Sequence, residues 1–254
     1  MNLIMIVPCF NESKRWNTEY WTEATSLSGT NWIFVNDGST DGTGSIIDTF
    51  CLSHPNTRAL HLSKNMGKAG AVRAGILNAY SQPALKPTGI GFVDADGAFD
   101  VNEIHRVANV FVAKVKSRSG IEAIWTARIA LAGRNIKRTK FRHYVGRMIA
   151  TVIGFNFPEL PYDSQSGFKI FTATEELKDC FSSPFQTRWL FDIEILLRWR
   201  LQTKRSLKIW EEPLLAWKDV AGSKITFLQT AKIVHEINLI NKLKKMSYQP
   251  KRVR

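Results

Sequence analysis

Asp94 and Asp96, separated by Ala95, end the apolar run Gly89–Val93 and are followed by Gly97. Two carboxylates so placed at the end of a strand, where the backbone turns, can present oxygens to one hard cation that also grips a diphosphate. Taken alone, Asp-x-Asp equally describes solvated turn aspartates. Three other polar segments follow apolar runs in the same half of the chain: Pro8-Cys9-Phe10-Asn11-Glu12, Asn36-Asp37-Gly38-Ser39, and Ser63 to Lys68. Asp37 could accept hydrogen bonds from a ribose or a base, or the segment could simply be an Asp-Gly turn beside a helix cap. Lys68 and Arg73 flank glycines at a helix start, where phosphates are readily met. The pattern is neither a P-loop nor Gly-x-Gly-x-x-Gly, which argues against a kinase and a dinucleotide-dependent dehydrogenase. Later in the chain come Asp163-Ser164-Gln165-Ser166-Gly167-Phe168-Lys169 and the acids Asp192 and Glu194 in an otherwise apolar stretch. Helix capping is the bland reading of those two acids.

The elements that must position these groups alternate. Short β-branched runs at Leu3–Val7, Trp32–Val35, Ala59–Leu62, Gly89–Val93 and Ile121–Trp125 are separated by helical patterns such as Ala69–Asn78 and Asn102–Lys116. That rhythm predicts βαβ units, hence an α/β fold with a mainly parallel central sheet flanked by helices. Ligands of open α/β sheets bind outside the carboxyl ends of the strands. The four polar loops are therefore expected to form one site. Beyond residue 126 the sequence predicts an amphipathic helix over Phe141–Val152, strands at Gly167–Phe171 and Leu207–Trp210, and helices at about Leu190–Leu201 and Ile225–Lys245.

The composition of the 254 residues, 44% hydrophobic and 22% charged, is globular and excludes a disordered or collagen-like chain. Cys9, Cys51 and Cys180 are widely spaced without Cys-x-x-Cys, so neither a disulfide framework nor a zinc site is expected, and a reducing cytoplasm fits. The first residues read as a strand rather than a signal peptide. No long uncharged apolar run predicts a membrane-spanning helix. The net charge of +13 is local. Thirteen basic residues lie in two acid-free stretches, Ala123–Pro158 and the segment after Glu236, and the remaining charges balance. Two surfaces facing something anionic are expected.

Taken in order, these segments resemble the inverting glycosyltransferases of family 2, with the nucleotide-binding GT-A fold. The matching motifs are Val7 to Glu12, Val35 to Thr43, Asn65 to Ala71, Asp94-Ala95-Asp96, and Gln165 to Lys169, over roughly residues 1–220. Phe191-Asp192-Ile193-Glu194 and Trp217 to Lys224 bring the chain nearest to the dolichyl- or polyprenyl-phosphate glucosyl- and mannosyltransferases. The resemblance implies a nucleotide-sugar pocket of Pro8, Asn11, Glu12 and Asp37, with Lys68 near the diphosphate and Asp94 at the donor sugar or ribose. It implies Mg2+ or Mn2+ on Asp94 and Asp96. On the acceptor side it places Gln165, Ser166, Lys169 and Asp163, the last as a base or an acceptor-orienting group, with Arg134 and Arg138 meeting a lipid phosphate. Residues 1–126 would form the donor half, 127–224 the acceptor half, and 225–254 a basic amphipathic helix and tail. Ala98 stands where mannosyl members often carry a metal-contacting Gln, so UDP-glucose is expected ahead of GDP-mannose. The C-terminal membrane spans of many polyprenyl-phosphate members have no counterpart in the sequence. Attachment to the cytoplasmic face of an anionic membrane through the basic segments is expected instead.

Three other readings compete. A family 2 enzyme could glycosylate a sugar hydroxyl, a basic chain could bind nucleic acid, or a GT-A scaffold could serve as an inactive interaction protein, which the retained Asp94 and Asp96 disfavour. The basic stretches lack interleaved aromatics and a nucleic-acid motif, which weighs against the second.

Overall fold

The computed structural model describes residues 2–82, 84–137, 151, 160–220 and 236–245. Arg138, the expected helix over Phe141–Val152 and the first part of the expected terminal helix lie outside them. Strand β1 (Leu3–Cys9) is almost wholly buried and pairs in parallel with β2 (Thr30–Asn36) and β4 (Gly89–Val93), while β2 pairs in parallel with β3 (Thr57–His61). Near-continuous apolar runs, rather than alternation, suit strands covered on both faces. Helices α1 (Thr18–Thr25), α2 (Thr43–Ser53), α3 (Gly67–Ser81) and α4 (Val101–Lys116) supply that cover.

Next come β5 (Ala123–Ala127), β6 (Asn135–Lys137), β7 (Phe168–Thr172), α5 (Glu175–Ser182), α6 (Phe191–Thr203), β8 (Ile209–Pro213) and β9 (Ala216–Lys218). The main sheet has the order β3-β2-β1-β4-β7-β5-β8, and β6 pairs with β9 in a separate small sheet. β7 runs antiparallel to both β4 and β5. The mainly parallel sheet expected from the sequence therefore contains one reversed strand in its interior. Gly91 makes that pairing fit, because a side chain there would run into the Lys169 carbonyl and the Ile170 backbone.

One core lies under α1, α2 and α4, and a second under α3, α5 and α6. In the first, Trp21 meets Phe34 edge-on at 5.1 Å and Trp32 at 6.2 Å. Each such pair adds about 0.5–1.5 kcal/mol beyond burial. They fix β2, and β2 delivers Asp37 to the site. Helix 236–245 packs Ile240 and Leu243 against Leu190, Ile193 and Leu197 of α6 and its start. No described helix is long and apolar enough to cross a membrane.

Candidate active site

All four polar loops meet at the carboxyl edge of the sheet. The β1 and β2 loops are tied together by hydrogen bonds from Asn11 N–H to Ser39 Oγ (3.0 Å), from Thr40 N–H to Asn11 Oδ1 (2.9 Å) and from Glu12 N–H to Thr43 Oγ1 (2.8 Å). Asn11 adopts φ 52, a backbone conformation that asparagine tolerates better than most residues. Pro8 lies opposite Val35 in the β1–β2 ladder. α3 has no cap of its own. Asp37 Oδ1, from the neighbouring strand, accepts the Met66 N–H at 2.7 Å instead. Asp37 is 2% exposed, and burial pushes its carboxyl up against the pull of the Met66 and Gly67 N–H groups and Arg188. Asp37 thus caps a helix at the same sheet edge as the Asp94 loop.

Helix α3 then aims Lys68 at the paired aspartates, with Lys68 Nζ 2.5 Å from Asp94 Oδ1. Burial disfavours the Lys68 charge, but Asp94, Asp192 and Asp96 outweigh it and hold the ammonium above its ordinary pKa. Asp96 lies beside them, one oxygen accepting the Ala98 N–H at 3.1 Å. Burial first, and the Asp94 charge second, push the Asp96 carboxyl up. Glu12 faces the same pair; burial raises it, Arg15 lowers it, and Asp96 and Asp94 raise it again. The Arg15 guanidinium grips Glu12 bidentately at 2.9 and 2.6 Å.

Three mutually repelling carboxylates, with Lys68 on Asp94 and Arg15 on Glu12, leave Asp96 without an ion-pair partner among the described residues, a charge that a cation would relieve. Among the described residues no group of three or more His, Cys, Asp or Glu has a metal-ligating arrangement. An ion here would rest on Asp94 and Asp96 and take its remaining ligands from water and phosphate. That all-oxygen set suits Mg2+ or Mn2+.

On the other flank the structure rearranges the expected acceptor residues. Asp163 has both oxygens on Arg128, with Nε at 2.7 Å and Nη2 at 2.8 Å, and its Oδ2 also accepts the Arg128 backbone N–H at 3.0 Å. Burial opposes the Arg128 charge, yet Asp163 more than compensates and raises the pKa of the guanidinium. Lys169, expected to contact an acceptor, is fully buried between Phe92 and Trp125, its Nζ 2.9 Å from Asp192 Oδ1. At that distance and burial the two form an internal pair under the site rather than a ligand contact, although burial pushes Lys169 down and Asp192 up. Ser166 is 1% exposed and shares its hydroxyl with Thr126, which also removes it from the acceptor surface. Gln165 keeps a buried Nε2 with no partner among the described residues, a donor available to a ligand. Arg134 is half-buried where the chain enters β6.

Two site residues escaped the sequence reading. Arg128 was counted only among the basic excess; its place directly after β5, at the same edge as the Asp-x-Asp loop, was the available signal. Arg188, just before α6, was not singled out at all. It is exposed, and its guanidinium lies over Gly67, where a Cβ would be 3.5 Å from Nε and 3.6 Å from Nη2. Arg188 therefore stands over the start of α3, the helix whose Lys68 pairs with Asp94. A cavity of about 420 Å³ also lies beyond Gly97, lined by Tyr20, Asp100, Lys137, Trp217 and Lys218 among others, and none of the expected site residues lines it.

Residues 4–117 match the family model described as "Glycosyl transferase family 2". A Drosophila melanogaster dolichyl-phosphate beta-glucosyltransferase is 32% identical over 249 residues, covering 89% of this chain and 70% of the relative. This chain belongs to glycosyltransferase family 2. Another relative, dolichyl-phosphate beta-glucosyltransferase ALG5C of Trichomonas vaginalis, is 34% identical over 236 residues, 87% of this chain and 65% of the relative. The chain spans about two thirds of the length of these curated relatives. Among solved structures, glucosyl-3-phosphoglycerate synthase of Mycobacterium tuberculosis, in complex with Mn2+, UDP-glucose and phosphoglyceric acid, is similar with a TM-score of 0.64 at 15% identity, over 99% of this chain and 81% of that one. The mannosyltransferase PcManGT of Pyrobaculum calidifontis, in complex with GDP-mannose and Mn2+, gives 0.61 at 13% identity, over 98% and 65%. The fold is thus the GT-A fold of nucleotide-sugar transferases, as the motif order implied.

Proposed function

We propose that this family 2 chain transfers glucose from UDP-glucose to a polyprenyl or dolichyl phosphate, with GDP-mannose the alternative donor. One observation carries the reading: Asp94, just after β4, holds Lys68 at 2.5 Å and lies within the field of the Asp163-bound Arg128, with Asp96 beside it and Arg188 over the start of α3. The Lys68 and Arg188 cations suit a leaving diphosphate, and Arg128 an incoming phosphate. The curated relatives' names supply the sugar and the lipid.

In this reading the nucleoside enters between the cross-tied β1 and β2 loops, against Pro8, Asn11, Glu12 and Asp37. When bound, a divalent ion on Asp94 and Asp96 supplies positive charge to the diphosphate. Lys68 and Arg188 stabilise the charge that grows on the leaving group as the glycosidic bond breaks. A phosphate monoester, with a second pKa near ~6, attacks largely ionised and needs no strong base. Asp163 is committed to Arg128 and so orients that guanidinium toward the acceptor rather than taking a proton. A sugar hydroxyl acceptor would need a free base, and the nearby carboxylates are occupied: Glu211 accepts the Tyr162 and Asp163 N–H groups. Displacement is in line, with inversion. Arg134, Arg138 and Gln165 complete the acceptor side, residues 1–126 form the donor half and 127–224 the acceptor half. Attachment to an anionic membrane through part of the basic excess in the two acid-free stretches belongs to the same proposal.

The test is a screen of UDP- and GDP-sugars, read as released nucleoside diphosphate with and without polyprenyl phosphate. Release from UDP-glucose that rises with the lipid phosphate is expected. Release that responds only to sugar acceptors would replace the lipid by a glycan.

A further inference from the structure

Five successive backbone N–H groups, residues 186–190, end on two buried carboxylates. Glu194, fully buried, accepts the Gln186 N–H at 3.0 Å and the Thr187 N–H at 2.9 Å. Glu236, from the helix at 236–245 and 7% exposed, accepts the Arg188 N–H at 3.0 Å, the Trp189 N–H at 2.9 Å and the Leu190 N–H at 3.0 Å. Leu190, which starts α6, makes no side-chain cap of its own. A carboxylate from a different element does that work.

Packing alone does not call for this arrangement. Leu190, Ile193 and Leu197 already dock on Ile240 and Leu243, and burying a carboxylate beside them costs desolvation energy. What the carboxylate adds is direction. With Thr187 and Leu190 each 1% exposed and their amides held, Arg188 between them can only project outward, where its guanidinium rests over Gly67 next to Lys68. Among the described residues no acid makes an ion pair with Arg188, so its orientation comes from its backbone.

We infer that Glu236 is a positioning residue for Arg188: the helix at 236–245 reaches across the fold and sets the cation that meets the leaving diphosphate. This rests on the donor-site reading above. It makes the C-terminal helix part of the catalytic apparatus although none of its side chains touches substrate.

A double-mutant cycle on the full chain tests it. Glu236→Gln replaces acceptor oxygen by an amide that cannot take three N–H groups, and turnover at saturating UDP-glucose is expected to fall about tenfold. Arg188→Ala should fall further, and Glu236→Gln should then subtract nothing more, because the group it positions is gone. Glu236→Asp, which keeps the charge one methylene shorter, should recover part of the loss and serves in the same cycle if the Gln variant unfolds. Thermal midpoints of all variants separate folding losses from turnover losses. Wild-type turnover in Glu236→Gln, or the same fractional loss with and without Arg188, would overturn the inference. Absence of nucleoside diphosphate release by the wild type with every donor would instead overturn the donor-site reading.

Discussion

Gly167 is where a single methyl group should disable the chemistry while leaving the fold standing. A Cβ at this position would overlap Asp94 Oδ2 and Cγ and lie 3.0 Å from Oδ1. The backbone has little room to yield, because the Gly167 carbonyl accepts the Asp94 N–H at 3.1 Å and β7 begins at the next residue. The carboxylate must therefore move, by about 1.4 Å to restore ordinary contact. That movement breaks its 2.5 Å contact with Lys68 and changes its spacing from Asp96. A shift of this size in a catalytic constellation costs about 100-fold in rate, or roughly 2.7 kcal/mol of barrier. Overpacking costs about 1–3 kcal/mol of stability, and each kcal/mol lowers the melting midpoint by about 2–4 °C in a chain of this size. Gly167→Ala should thus melt some degrees early yet remain folded at 25 °C, with turnover of UDP-glucose, read as released UDP, down about two orders of magnitude. Gly120→Ala is the control. It introduces a side chain at φ +72 on the opposite edge of the sheet, where only the flexible end of Lys208 comes within 3.5 Å. It should lose a comparable amount of stability and no turnover. Wild-type turnover in Gly167→Ala would show that the Asp94 position is not what the site depends on.

Other outcomes follow from the same geometry. Lys169→Met leaves Asp192 buried without its ion-pair partner and should cost about 3–5 kcal/mol in urea denaturation, most of it restored by adding Asp192→Leu; restored stability is not expected if Lys169 lies elsewhere. His61 Nδ1 accepts from Asn36 Nδ2 at 3.1 Å and its Nε2 donates to Asp48 at 2.9 Å, while Asn36 Oδ1 holds the Ser39 N–H. His61→Ala should therefore weaken nucleotide-sugar binding about fivefold by calorimetry, and His61→Asn, which can still accept from Asn36, should not. Burial pushes Glu122 up, but hydrogen bonds from Arg205 and the Lys208 N–H outweigh it and its pKa lies below the ordinary value. Its contribution is thus present above the unfolded-state pKa and lost as pH falls through the folded one. Glu122→Gln should be less stable than wild type at neutral pH, and the two should converge in acid; a constant difference would contradict the assignment.

Much of the site was legible because its parts are local. A strand that ends in Asp-Ala-Asp-Gly carries its own address, and β4 begins and ends where the pattern said. The reversed β7 was not legible in that way. Phe168-Lys169-Ile170-Phe171 reads as a buried strand, but nothing in a period of two tells which way it runs or between which neighbours. Its lysine was the overlooked clue, since a charge inside a fully apolar strand needs a buried partner, and Asp192 at the apolar start of α6 was the candidate. Arg188 and Glu236 were invisible for another reason. Their relation joins residues 46 or more positions apart through backbone amides, which leave no trace in side-chain type. Helix α1 and the two strands of the small sheet were too short to show a period.

In the proposed function, Asp94 and Asp96 serve a metal-assisted transfer of glucose to a lipid phosphate. Incorporation of labelled glucose from UDP-glucose into polyprenyl phosphate in the presence of Mn2+, by wild type and Asp96→Ala side by side, tests it most directly. Labelled lipid with the wild type, lost on chelation and lost in Asp96→Ala, is the expected result. No labelled lipid from the wild type, or wild-type incorporation by Asp96→Ala, would contradict it.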